Sequence, residues 1–229
     1  MTKRGKRKVL IGIGLVALML GWKILKKREP EYAGHRFSEW VLQISPSEET
    51  TSLPFQPTPA ELRNAILTLS TNNLPLLANW ISYDPGKSIF IPIFNVMPLW
   101  FNRLSIFDGV AQAEERGNDL AENAVGAFQI IREAGSPAIP ELEKILREGS
   151  LVSGSRSLNA LYFIGEPAIP SIVAAAKLTN CPTRYLAISS LWSFRNNPTA
   201  YMFLTNALAD PDFRVRDAAR DAINGIERY

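Results

Sequence analysis

A repeat of thirty residues in the C-terminal half constrains the fold of this chain more than any other feature. The hexapeptide Gly-Ser-Pro-Ala-Ile-Pro at 135–140 returns as Gly-Glu-Pro-Ala-Ile-Pro at 165–170. The dipeptides at 194–195 and 224–225 continue the same spacing. A period of this length without strand-like alternation is typical of stacked helical pairs, because each pair must bury its apolar stripe against a neighbour.

Each repeat is predicted to consist of a helix, a tight turn and a second helix. Apolar residues at helical spacing precede the turn, as Val125, Phe128 and Ile131 do in the first regular copy. The glycine at the turn is expected to end the first helix in a left-handed conformation, and the proline two residues later fits the next helix's first turn. The third copy has Arg-Asn-Asn-Pro at 195–198, where Asn also tolerates the left-handed conformation.

The repeated text resembles the HEAT-repeat family, in particular its short variety of about thirty residues that also occurs in phycobilisome-lyase-type proteins. Residues 210–223 are similar to that family's first-helix signature, Asp-x-x-Val-Arg-x-Ala-Ala. The Pro-x-Tyr-x-Gly…Trp stretch at 30–40 resembles a segment that follows the anchor in bacterial membrane-anchored HEAT-repeat domain proteins. The resemblance implies an all-α fold, an α-solenoid of stacked HEAT-like helical pairs, and it says little about activity.

The N-terminus is predicted to be a membrane anchor. Residues 9–22 carry no charge, and five cations precede them while four follow at 23 and 26–28. The apolar run is as short as a signal-peptide core, but no small-x-small cleavage site follows it. We therefore expect a single transmembrane helix within residues 1–28 of a bacterial cytoplasmic (inner) membrane protein. The nearly balanced flanks favour an extracytoplasmic body only slightly, and secretion after signal-peptide cleavage is the alternative.

The body of the protein is acidic, although the whole chain is basic. Residues 1–28 hold nine of the 25 Lys and Arg and none of the 22 Asp and Glu, so the remainder has a net charge of −6. Phosphate binding needs concentrated Lys and Arg, which argues against a nucleic-acid-binding protein. We expect a protein partner, with the membrane contacted only through the N-terminal helix. The sequence specifies no oligomeric state.

The sequence divides the rest of the chain into four further segments. Residues 29–58 are assigned to a juxtamembrane cap and linker, 59–82 to a divergent HEAT-like repeat, 83–119 to an aromatic helical insertion and 120–229 to the HEAT-like repeats. The aromatic residues of the insertion are Phe90, Phe94, Trp100, Phe101 and Phe107. Burial against the repeats is the favoured interpretation, because aromatics at this density usually form core, and an exposed partner-binding patch is the alternative.

Residues that could support catalysis are scarce. His35 and Cys181 are single residues of their types, and neither a zinc ligand set nor a nucleophile–base pair is indicated by their positions. HEAT-type iron hydroxylases carry repeated His-Glu pairs, whereas His35 precedes Arg36 and has no second copy. Acidic pairs such as Asp210 and Asp212 are interpreted as helix-start and solvated charges. We expect no catalytic residue, no metal site, no cofactor-binding site and no enzyme activity.

The sequence therefore predicts a non-catalytic membrane-anchored scaffold that binds a protein partner along the solenoid surface. Binding would use the second helix of each pair, although an ordinary solvated face is the simpler interpretation of each polar residue there. The candidate residues are Glu141, Lys144, Arg147, Lys177 and Asn206. The alternative is a lyase-like or chaperone-like accessory protein that handles a cofactor or chromophore, which would require a deep pocket with a perturbed ionisable group.

Overall fold

The computed structural model describes residues 29–46, 55–85, 106–178 and 183–226. The chain divides into two compact units, Met1–Pro30 and Glu31–Tyr229. The predicted transmembrane helix and Cys181 lie outside the described residues. Within the described ranges, no helix combines the length and the hydropathy that crossing a bilayer requires.

The described part of the larger unit is all-α apart from a short hairpin, which confirms the all-α part of the predicted fold class. The α-helices are α1 (Phe37–Leu42), α2 (Pro59–Ser70), α3 (Leu74–Ile81), α4 (Ile106–Ile131), α5 (Ile139–Glu148), α6 (Leu151–Ile164), α7 (Ile169–Lys177), α8 (Arg184–Ser190), α9 (Pro198–Ala207) and α10 (Phe213–Asn224). The side-chain oxygens of Thr58, Ser150 and Asp212 accept hydrogen bonds from the first turns of α2, α6 and α10, which fixes where these helices begin.

A hairpin and a short helix form the N-terminal end of this unit. Strand β1 (Glu31–Tyr32) pairs antiparallel with β2 (His35–Arg36), and α1 follows directly. The turn residues Ala33 and Gly34 have φ values of 50° and 80°, as the tightest hairpin turns require. The indole N–H of Trp40 on α1 donates to the Tyr32 carbonyl oxygen at 3.0 Å and locks the helix to the hairpin.

Asn123 attaches this end piece to α4. Its side-chain oxygen accepts from the Ser45 backbone N–H at 2.7 Å, and its amide donates to the Ser45 and Asp119 carbonyl oxygens at 3.4 and 2.9 Å. Only 6% of Asn123 is exposed, so an unpaired amide would be costly here. The residues after α1 are therefore held against the repeats by a satisfied polar contact as well as by apolar packing.

Helices that alternate along the chain pack beside one another. Helix α4 contacts α6, α6 contacts α8, and α8 contacts α10; in the same way α3 contacts α5, α5 contacts α7, and α7 contacts α9. A continuous hydrophobic core joins them, and Phe128, Leu161 and Ile188 are fully buried in it. Phe128 is a position that the apolar spacing predicted, because burial on one helix face depends mainly on local periodicity.

Gly135 is not the left-handed residue that the sequence predicted. The positive φ belongs to Arg132, at 50°, directly after α4, and Gly135 lies within the 3₁₀ helix Arg132–Ala138. A Cβ atom at Gly135 would lie 2.9 Å from Phe128 Cδ1 and 3.2 Å from Ile164 Cγ1. Glycine fits this position because the Phe128 and Ile164 side chains pack directly against it, rather than for its backbone freedom.

The second helices begin later than the prolines predicted. Pro137 lies in the 3₁₀ helix before α5 and Pro167 in the 3₁₀ helix Glu166–Ala168 before α7. Pro140 and Pro170 occupy the first turns of the two α-helices. The Gly-x-Pro-Ala-Ile-Pro text thus specifies a 3₁₀ turn followed by an α-helix, because each proline sits where a free N–H is not required.

Neither Asn196 nor Asn197 has the left-handed conformation that the sequence predicted for the third copy. The φ and ψ of Asn197 are −77° and 128°, and its side-chain oxygen accepts from the Thr199 N–H at 3.0 Å. Asn197 is the N-cap of α9, and Pro198 is that helix's first residue. The third copy therefore keeps its helix start through a capping side chain instead of a glycine turn.

The long helix α4 crosses the assigned boundary between insertion and repeats. It starts at Ile106, inside the segment 83–119, and continues to Ile131 without a break. Phe90, Phe94, Trp100 and Phe101 lie outside the described residues, so their predicted burial stays a prediction. Residues 106–119 extend the first helix of the first regular repeat.

Gly165 and Gly225 have positive φ in different regions, which gives a matched pair of substitutions. Gly165 has φ 93° and ψ −144°, whereas Gly225 has φ 73° and ψ 24°, the left-handed region that Asn tolerates. We expect Gly165→Asn to lower the free energy of unfolding by about 1–3 kcal/mol, and Gly225→Asn to lower it less. No atom lies within 4 Å of a Cβ at Gly165, so the cost is conformational. Denaturant unfolding measures both, and equal losses would contradict this assignment.

Candidate partner-binding groove

An open groove lies between the second helices α3 and α5. Its volume is about 530 Å³. Helix α3 and the turn before it line one side, and Pro137, Ala138 and Glu141 line the other. Because Pro137 and Ala138 end the 3₁₀ helix that leads into α5, the turn that reverses the chain also forms a wall of the groove.

One face of α3 forms the floor of the groove. The lining residues Pro75, Ala78, Asn79 and Ser82 are spaced as i, i+3, i+4 and i+7. On the opposite face, Leu77 and Ile81 are fully buried in the core. With a rise of about 1.5 Å per residue, this floor is about 10 Å long. It is a rigid surface, because core packing fixes the helix behind it.

Three side chains at the groove have free hydrogen-bonding capacity. The amides of Asn72 and Asn79 and the carboxylate of Glu141 are exposed and have no partner among the described residues. The two hydroxyls differ: Thr71 donates to the Leu67 carbonyl oxygen at 2.9 Å, and Ser82 to that of Asn79 at 2.7 Å. The groove thus offers two amides that donate and accept, and one carboxylate that only accepts.

Of the five binding residues proposed from the sequence, Glu141 alone lines this groove. Lys144 and Arg147 lie exposed on α5, Lys177 is exposed on α7, and Asn206 is exposed on α9. In the described part of the chain, no hydrogen bond or ion pair links any two of them. The structure places all five on second helices but does not gather them into one site. Asn72 and Asn79 are groove residues that the sequence reasoning missed.

A buried arginine organises the polar contacts on the first-helix side. Arg156 on α6 is only 4% exposed. Its guanidinium donates to Glu122 Oε1 at 2.9 Å, to the Tyr83 carbonyl oxygen at 2.9 Å and to Asn118 Oδ1 at 2.6 Å. The planar fork of arginine is suited to three acceptors in different directions. Arg156 therefore joins α6 to α4 and to the residues just after α3.

Tyr83 packs tightly beside this arginine. A Cβ atom at Gly117 would lie 2.9 Å from the Tyr83 ring, so a glycine on α4 makes room for the ring. The phenolic oxygen is buried and has no hydrogen-bond partner among the described residues. Burial raises the pKa of Tyr83, and the charge of Glu114 acts in the same direction.

A second ion pair connects the C-terminal helices. Arg184 on α8 donates to Asp210 and, through Nε, to the Ala176 carbonyl oxygen of α7 at 3.0 Å. Burial would raise the pKa of Asp210, but hydrogen bonds from Arg184 and from the Asp212 N–H hold that pKa below its usual range. Asp212 caps α10 as predicted. Asp210 is not the solvated charge that the sequence suggested, because its side chain is only 14% exposed.

His35, the remaining candidate for catalysis or metal binding, packs among aromatic side chains. The His35 ring stacks on Phe55 with the ring centroids 3.7 Å apart and meets the edge of Trp40. Its Nδ1 lies 3.7 Å from a carboxylate oxygen of Glu39. Among the described residues, no three His, Cys, Asp or Glu side chains are grouped to hold a metal ion.

Comparison of the chain with protein-family models, with curated proteins and with solved structures gave no match. The site must therefore be interpreted from its own geometry. The described geometry defines an all-α protein with a polar-edged groove between two of its helices.

Proposed function

We propose that this chain is a membrane-anchored HEAT-type helical-repeat scaffold that binds a protein partner in the groove between α3 and α5. The order of helix contacts supports the repeat architecture. The first helices α4, α6, α8 and α10 touch in sequence, as do the second helices α3, α5, α7 and α9. Together with the thirty-residue period, this order is what stacked helical pairs require.

The groove is the observation that carries the binding proposal. Its floor along α3 combines apolar Pro75 and Ala78 with polar residues, and it presents the free groups of Asn72, Asn79 and Glu141. Apolar surface with a few convergent polar groups is how proteins bind ligands with orientation. The free amides suit a polypeptide, because each can donate to a backbone carbonyl oxygen and accept from a backbone N–H.

A cofactor or chromophore fits this groove less well than a polypeptide does. The volume of about 530 Å³ lies within the range of about 300–1,000 Å³ for small-molecule pockets. However, no aromatic side chain of the described residues lines the groove, and such pockets are usually lined by hydrophobic and aromatic groups. The accessory-protein alternative has no specific observation in its favour.

Membrane attachment is proposed from the sequence and from charge. The apolar run at 9–22 is flanked by cations on both sides. The rest of the chain has a net charge of −6, so anionic head groups would repel it rather than hold it. An inserted helix within residues 1–28 is therefore the attachment that the composition supports.

Photocrosslinking from the groove tests the binding proposal. In the full chain in its native membrane, a benzoylphenylalanine at Asn79 is expected to give a discrete protein adduct. Benzoylphenylalanine in place of Gln129, which is exposed on the first helix α4, is expected to give no protein adduct. Asn72→Trp should fill the groove and remove most of the Asn79 adduct, because Asn72 is exposed and its replacement spares the core. Equal adducts from Asn79 and Gln129 would argue against a groove site.

A further inference from the structure

We propose that the occupant of the groove is an extended segment of the partner polypeptide that places a lysine or arginine side chain against Glu141. This inference rests on the proposed function, since it names the chemistry of the segment that the groove binds. Three observations carry it: the one charged side chain among the described residues that line the groove, the free amides that line it, and the net negative charge of the chain beyond residue 28.

Among the described residues, Glu141 is the one ionisable side chain that lines the groove. It is exposed, and it forms no ion pair with a described residue. Lys144 lies three residues further along α5, at a spacing that often allows pairing, yet no ion pair joins the two. The carboxylate is therefore available to a cation that an occupant supplies, and it would repel a phosphate or a carboxylate in the same place.

The free amides and the length of the floor suit an extended segment. The backbone N–H and C=O groups of a helix are already paired with each other, whereas those of an extended chain are free to bind side-chain amides. An extended chain rises about 3.3 Å per residue, so about three residues cover the floor between its two ends. The free amides of Asn72 and Asn79 can then bind backbone groups, while Glu141 binds a side chain.

The net charge of the chain beyond residue 28 has the matching sign. Beyond residue 28 the chain carries a net charge of −6. An excess of one charge sign raises the local concentration of ligands of the opposite sign and speeds their association. A basic segment is thus attracted to this body before it reaches Glu141, whereas an acidic segment is repelled at both stages.

Selection from a random linear decapeptide library, with the full chain in detergent micelles as target, tests the inference. We expect the enriched peptides to share a Lys or Arg in a fixed register, and Asn72→Trp to abolish their binding. Replacing that basic residue with Gln in a synthetic consensus peptide should weaken binding about fivefold, the upper range for a partly exposed pair. Glu141→Lys should move the selection to Asp or Glu in the same register.

Glu148→Lys is the matched control, since Glu148 is exposed on the same helix and does not line the groove. It should leave the selected sequences unchanged. Peptides that Asn72→Trp blocks, but that lack a basic residue or ignore Glu141→Lys, would overturn this inference and leave the groove as a binding site. Enrichment of no peptide that depends on the groove would overturn the inference as well, and the Asn79 crosslink would then decide separately whether the groove binds a folded partner.

Discussion

Arg156→Met is expected to lower the free energy of unfolding by about 2–3 kcal/mol. Methionine matches the length of the arginine stem but donates no hydrogen bond. The Tyr83 carbonyl oxygen and the Asn118 side-chain oxygen would each lose a charged donor in a partly buried position. Leaving these two acceptors without a donor costs more free energy than the burial of the apolar methionine side chain contributes. Denaturant unfolding of the parent and the variant measures the difference.

Two further variants separate the charge from the hydrogen-bonding pattern. Arg156→Lys keeps the charge but should recover less than half of the loss, because one ammonium group cannot reach three divergent acceptors. Glu122→Gln should cost less than about 1 kcal/mol, since the Glu122 side chain is 59% exposed and is solvated in either state.

Arg220→Met supplies the exposed control for the same chemical change. The Arg220–Asp217 pair has the same N–O distance, 2.8 Å, as the pair of Arg156 with Glu122, but the Arg220 side chain is 61% exposed. Its loss should cost between zero and about 1 kcal/mol. If Arg220→Met and Arg156→Met destabilise the protein equally, the buried network has no special structural role.

The parts of the fold that depend on local periodicity could be predicted from the sequence. The spacing of Val125, Phe128 and Ile131 identified the buried face of one helix, and all three are buried. The repeated Pro-Ala-Ile-Pro text located two helix starts to within two residues. Such signals are readable because one helix carries all the residues that encode them.

The turn after α4 could not be predicted, because its cause is tertiary. Gly135 is required by the proximity of Phe128 and Ile164, which belong to two different helices. Once these helices are close, the chain reverses at Arg132, a residue type that rarely has a positive φ. From the sequence alone, a glycine at a repeat turn suggests a positive φ. Only the packed structure shows that the Phe128 and Ile164 side chains lie against Gly135 instead.

The groove was only partly accessible to sequence reasoning for a similar reason. Glu141 was selected as a polar residue on a second helix, and it does line the groove. Asn72 and Asn79 lie more than sixty residues earlier, beyond the segment 83–119, so no local pattern connects them to α5. Arg156 was missed although it lies four residues before buried Ala160, where a cation on an apolar stripe signals a buried polar contact.

Deletion of residues 1–28 is expected to move the protein from the membrane fraction to the soluble fraction. Residues 9–22 supply the cation-flanked apolar run, and the net charge of −6 on the remainder opposes attachment to an anionic surface. The shortened chain should keep its helical circular dichroism spectrum, because Glu31–Tyr229 forms a compact unit with its own core. An aggregated product, or one dominated by strand, would contradict the independence of that unit.

Alkaline carbonate should leave the full chain in the membrane pellet, because a spanning helix does not depend on charge pairing with lipid. Exchange of Lys23, Lys26 and Lys27 for Gln is the matched control, and these variants should also resist extraction. Release of the intact chain by carbonate would indicate a helix that lies on the membrane surface.

Mass spectrometry of the mature protein distinguishes an anchor from a cleaved signal peptide. An anchor predicts that peptides from residues 1–22 are found, whereas cleavage would leave a mature N-terminus near Glu29. Added protease should reach the body only from the extracytoplasmic side, and digestion from the cytoplasmic side would keep the anchor but reverse its orientation.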